Sequence, residues 1–257
     1  MSKAQTDSGT QHDAQVDRFD QPLLDHLIEL RQRLLKSILA VFIIFFPLYF
    51  LANDIYLFVA KPLMEQLPSG STMIATQVAS PFLTPFKLAI FAAIFIAVPY
   101  ILHQAWAFVA PGLYLREKKF ALPLLFSSIA LFYLGVAFAY FAVFPLVFRF
   151  MASVTPIGVT MMTDINSYLD FVLKLFFAFG FAFEVPIATL LVVWSGITTV
   201  ESLTRKRPYI VVGCFVVGML LTPPDIISQV LLALPTWILF EIGILLARLV
   251  ERRRAAA

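Results

Sequence analysis

FFAFGFAFEVPIATLLVVW, residues 176–194, carries one ionisable side chain, Glu184, directly ahead of Val185 and Pro186 in an otherwise apolar run. A run of this length crosses a bilayer as a helix, because about 20 residues rising ~1.5 Å each span the ~30 Å hydrocarbon core. A carboxylate near the middle of such a span costs about 3 kcal/mol on insertion scales, and more if it stays ionised without a partner. Glu184 must therefore face other protein, face a water-filled cavity, or be protonated. One reading is an interhelical hydrogen bond that only holds a bundle together. The other is a polar site kept inside the membrane for a polar or charged guest.

The rest of the chain has the same character. Of its 257 residues 60% are hydrophobic and 14% charged, with 27 Phe and a mean hydropathy of +0.88. No soluble domain needs that much apolar surface, so the class is an all-α polytopic membrane protein. The single cysteine, Cys214, excludes an internal disulfide and a multi-cysteine metal site. His12, His26 and His103 have no ligand spacing, and no metal or cofactor is expected. Residues 1–21 are polar, with Asp7, Asp13, Asp17 and Asp20, and read as a disordered cytoplasmic tail and not a cleaved signal.

A polytopic domain is expected over 22–247, followed by a basic tail at 248–257. PLLDHLIELRQRLL (22–35) alternates Leu with Asp25, Glu29, Arg31 and Arg33 as a surface-lying amphipathic helix would, with Glu29 and Arg33 as i,i+4 partners. Spans are predicted at about 37–51, 86–108, 121–148, 170–194, 209–221 and 226–247. DIYLFVAKPLMEQL, in the connection 52–84, predicts a short helix over the bundle. Asp170 and Lys174 open the fourth span as an i,i+4 pair, expected to neutralise itself at the outer boundary. The fifth span has too few apolar residues for a bilayer of ordinary thickness. Asp225 is a candidate N-cap for the sixth, and Glu241 reads as a snorkelling residue.

All but Lys61, Lys87, Arg149 and Lys174 of the 19 Lys and Arg fall in the N-terminal segment, the turns after spans two and four, and the C-terminal tail. The positive-inside rule then puts both termini in the cytoplasm and makes the number of spans even. Six is expected; four spans plus a re-entrant hairpin over 208–247 is the rival. This topology brings Glu29 and Glu117 to the cytoplasmic interface among Lys and Arg. Two carboxylates there suit a ligand that brings guanidinium groups, since each carboxylate accepts a bidentate arginine.

The runs HLIELRQRLL (26–35), STMIATQVASPF (71–82), QAWAFVAPGLY (104–114), FAYFAVFP (138–145), FGFAFEVP (179–186), KRPYIVVG (206–213) and VVGMLLTPPDIISQ (216–229) resemble the TatC family, the polytopic subunit of the twin-arginine protein translocase. The resemblance covers about 22–247 and implies a curved, glove-like bundle of six helices with short fifth and sixth spans in the bacterial inner membrane. It implies recognition of the twin-arginine signal peptides of folded precursors at the cytoplasmic face by Glu29 and Glu117. Arg31, Arg33 and Phe108 fall in the same region. It also implies a groove around Glu184 for the apolar part of the signal, a functional position at Pro62, and docking of the single-span partners TatA and TatB at Met219, Thr222, Asp225 and Gln229. Transport would draw on the proton gradient.

An alternative is a small proton-coupled secondary transporter using Glu184, but no paired inverted halves are evident. There is no GxSxG, HExxH or GxxxxGK[ST], so neither hydrolytic nor nucleotide-driven chemistry is expected of this chain, which does not read as an enzyme.

Overall fold

The computed structural model describes residues 7–65, 73–109, 118–156, 159, 162–221 and 226–255. The helices in chain order are α1 (Asp7–Phe50), α2 (Ala52–Met64), α3 (Ser80–Val109), α4 (Lys118–Phe138), α5 (Phe144–Ser153), α6 (Ile165–Phe183), α7 (Val185–Trp194), α8 (Val200–Arg205), α9 (Arg207–Leu221) and α10 (Ile226–Ala255). Five stretches are long and apolar enough to cross a membrane: His26–Phe50, Ser80–Phe108, Leu122–Ser153, Ile165–Trp194 and Gln229–Leu249. The fifth in the expected order of six, α9, has 15 residues, about 22 Å, short of the ~30 Å core. It lies antiparallel to α10, since Gln229 Nε2 donates to Phe215 O at 2.9 Å and Arg207 Nη2 to Glu241 Oε2 at 2.6 Å. Glu241, expected to snorkel, is thus held by an arginine.

The amphipathic run and the first span form one helix. Nothing between Leu35 and Ser37 breaks it, and the Ser37 hydroxyl donates back to Arg33 O at 3.0 Å. The helix runs from Asp7 through Gly9 and Pro22 and so takes in residues 7–21, which composition alone reads as a disordered tail. At the other end α10 carries the basic tail on as helix to Ala255. The third span is longer than its apolar count implied: α4 and α5 are joined through a π-helical turn, Ala139–Val143, which absorbs the missing N–H of Pro145.

Prolines inside helices free carbonyls that lipid cannot satisfy, and tyrosines on neighbouring helices take two of them. Pro99 leaves Phe95 O without its i+4 amide, and the Tyr133 hydroxyl donates to it at 2.9 Å. Pro62 does the same to Phe58 O, which accepts from Tyr140 at 2.9 Å, while Tyr168 donates to the adjacent Val59 O at 2.7 Å. The short helix α2 is thereby fastened to the π-turn and to α6. The core beneath it is aromatic, with Phe144 and Phe176 rings 4.9 Å apart and Phe179 fully buried. α4 crosses α6 at close range because both contact positions are glycine: a Cβ on Gly135 would meet Phe179 O at 2.4 Å, and one on Gly180 the Phe132 ring at 2.6 Å.

At the opposite end from the basic turns, two loops are clipped together. Asp164 caps α6 by accepting from the backbone N–H of Asn166 and Ser167, and its other oxygen accepts the N–H and hydroxyl of Thr76 at 3.0 and 2.7 Å. The N–H of Ser167, then the donors of Thr76, hold this carboxyl well below the usual aspartate range. Ile74 forms an isolated parallel bridge with Asp164 beside it. Asp170 does not pair with Lys174: Lys87 on α3 reaches it at 2.5 Å and bonds Asn166 Oδ1 at 3.3 Å. The i,i+4 spacing puts Asp170 and Lys174 on neighbouring turns, but Asp170 faces α3 and Lys174 does not follow it.

Candidate functional site

The basic end of the bundle holds a compact polar patch between α1 and α3. His26, Glu29 and Arg33 recur at i, i+3 and i+7, one face of α1, and meet Gln104 and Phe108, an i,i+4 pair on α3. The His26 and Phe108 rings stack with centroids 4.1 Å apart and an 18° interplanar angle. Arg33 donates through Nε and Nη2 to Glu29 Oε1, at 2.9 and 2.6 Å, and through Nη1 to Gln104 Oε1 at 3.2 Å. All of Arg33's contact with the carboxylate falls on Oε1. The side chains are 25% and 36% exposed, so the pair contributes on the order of 1 kcal/mol and can be exchanged. Arg31 is exposed beside it. Glu117 lies outside the described residues.

Glu184 occupies the break between α6 and α7. Pro186 offers no N–H, so the helix closes early, with Glu184 N donating to Phe181 O at 3.0 Å, and restarts with Ala188 N on Glu184 O at 2.9 Å. Glu184 is thus the last cap of one helix and the first of the next. The Ser128 hydroxyl on α4 donates to its Oε2, while Oε1 is buried with no hydrogen-bond partner among the described residues. Ten residues separate Glu184 from Trp194, and ten separate Ser128 from Lys118, so this pair lies ~15 Å from the basic end, near mid-membrane.

The two polar places do not touch. Gln104 turns to α1, whereas Trp106, two residues on, packs with Leu125 of α4 and Ile187 of α7. α3 therefore stands between Glu29 and Glu184, and a guest reaching both passes along or around it. A cavity of about 670 Å³ between α6, α9 and α10 is lined by Phe181, Ala182 and Val185, with Glu184 turned away from it toward α4.

Pro62 is buried within α2. Met219 is exposed on α9, Gln229 bonds across to α9, and Thr222 and Asp225 lie outside the described residues. Sequence reasoning missed His26, Gln104 and Ser128 as site residues. Gln104 and Phe108 share a helical face, which was a usable signal; Ser128 in an apolar helix offered none that pointed to Glu184.

Residues 25–235 match the family model described as Sec-independent protein translocase protein (TatC). A Sec-independent protein translocase protein TatC of Azotobacter chroococcum mcd 1 is 62% identical over 239 residues, covering 93% of this chain and 94% of its own length. The protein of that name in Escherichia coli K12 is 59% identical over 228 residues, covering 89% and 88%. A crystal structure of the twin arginine translocase receptor TatC superposes with a TM-score of 0.78 at 38% identity, covering 87% of this chain and 98% of the other.

Proposed function

The chain belongs to the TatC family of Sec-independent protein translocase proteins, and on that premise we propose that it is the receptor subunit for twin-arginine signal peptides. It is a multi-pass membrane protein, for which we propose the bacterial inner membrane with both termini in the cytoplasm. The observation that carries the reading is Glu29, engaged by Arg33 through one oxygen only and so open to a second guanidinium. A leader's arginines would bind Glu29 and Glu117, with Arg31 and Arg33 displaced toward Gln104, and His26 stacked on Phe108 would floor the patch. The apolar part of the leader would continue toward Glu184, whose Oε1 has no hydrogen-bond partner among the described residues. TatA and TatB would dock around Met219, Thr222, Asp225 and Gln229, with Pro62 shaping the outer cap, and the proton gradient would supply the work.

Site-specific cross-linking from positions 29, 117 and 184 to a bound leader tests this. The depth difference of ~15 Å places the residue 184 cross-link about 10 residues beyond the arginine pair if the leader is helical, and about 5 if extended. Glu29→Ala or Glu117→Ala should weaken binding by about 1.5–3 kcal/mol per lost charge-assisted contact, and a Lys-Lys leader should bind less than its Arg-Arg parent. Unchanged leader affinity in stable Glu29→Ala protein sinks the assignment.

A further inference from the structure

Lys174 has no role in the reading above, and no ion pair or hydrogen bond to it occurs among the described residues. It is exposed on α6 at the mouth of the 670 Å³ groove, whose walls are Phe177, Phe181, Gly213, Val217 and Leu232. We propose that this groove binds one anionic phospholipid, its phosphate on Lys174 and an acyl chain laid along α6 toward Val185.

Depth and charge support this occupant. Lys174 lies twenty residues from Trp194 on the fourth span, and Lys87 twenty-one from Phe108 on α3, so both sit ~30 Å from the basic end. That is the far hydrocarbon boundary, where headgroup phosphates lie. Asp170 is neutralised by Lys87, which leaves the charge of Lys174 uncompensated at the mouth. The walls below it are apolar over the length of α9, the helix too short for the bilayer. Placing the lipid in the outer leaflet rests on the orientation proposed above; the site itself does not.

Native mass spectrometry of the full chain in detergent reads the binding directly. The chain should retain one phosphatidylglycerol and not phosphatidylcholine. Lys174→Ala should weaken retention about five-fold and Lys174→Arg should keep it. Gly213→Leu should abolish it, because a Cβ there meets nothing within 4 Å and the side chain fills the groove. Equal retention of phosphatidylcholine, wild-type retention in Lys174→Ala or in Gly213→Leu, or full competition by millimolar inorganic phosphate would each overturn the proposal, the last by marking an anion site without an acyl seat. Displacement by a stoichiometric synthetic single-span helix would assign the groove to protein instead. No leader peptide is present, so failure here leaves leader recognition standing, and loss of leader recognition leaves this result standing.

Discussion

Replacing Tyr133 by Phe isolates what the structure says about prolines in this bundle. Phe95 O has lost its i+4 amide partner to Pro99 and accepts the Tyr133 hydroxyl at 2.9 Å. A hydrogen bond between helices in a membrane contributes about 0.6 kcal/mol on average and up to ~1.7, and here its loss strands a backbone carbonyl that lipid cannot solvate. Tyr133→Phe should therefore cost about 1–2 kcal/mol. In a Pro99→Ala background the new alanine N–H reaches Phe95 O, and the same substitution should cost no more than about 0.5 kcal/mol, a coupling of about 1 kcal/mol. Reversible unfolding of the four proteins in mixed micelles measures the cycle. Equal costs of Tyr133→Phe in both backgrounds would refute the idea that the tyrosine stands in for the proline's missing donor.

Glu184→Gln should preserve assembly and transport where Glu184→Ala loses them if hydrogen bonding to Ser128 is the requirement; loss in both, in a transport assay with folded precursor, shows that the acid itself is needed. Asp164 is the pH-sensitive joint of the two loops at the end away from the basic turns. Its folded-state pKa is depressed below 3.8, so its stabilisation is fully present above that value and is lost as pH falls below about 4. Asp164→Asn should flatten that part of the stability profile, and an unchanged acid limb in thermal unfolding counts against the clip. Lys87→Ala should free Asp170 and destabilise the protein, while Lys174→Ala should not, and comparing their melting temperatures separates the observed cross-helix pair from an i,i+4 pair.

Much of this fold was legible because lipid enforces it. Apolar length led to spans at about 86–108 and 170–194, where apolar helices Ser80–Phe108 and Ile165–Trp194 lie, and helical spacing in DIYLFVAKPLMEQL pointed to α2. The Glu29–Arg33 pair followed from i,i+4 spacing and is present as expected. The same rule failed for Asp170 and Lys174. Spacing along one helix says that two side chains can meet, but a cation on another helix, Lys87, offered Asp170 a shorter contact. Partners that come from other helices were invisible for the same reason: Gln104 to Arg33, Ser128 to Glu184, Arg207 to Glu241. The break at Glu184 was signalled by Pro186, yet its direction toward α4 depends on how closely α4 crosses α6, which Gly135 and Gly180 set.

That break also bears on what an acid is doing at mid-membrane. The C-terminal carbonyls of α6 and the N-terminal amides of α7 meet at Glu184, and their fields oppose each other: the first disfavours a negative charge, the second favours it. The two ends offset each other there, and one hydroxyl from Ser128 is the only side-chain donor Glu184 has among the described residues. A proton-carrying or cation-carrying site would be expected to gather further donors or a counter-charge around the carboxylate. None is present among the described residues, where Oε1 is buried without a partner, so the surroundings of Glu184 do not favour a permanent ion path.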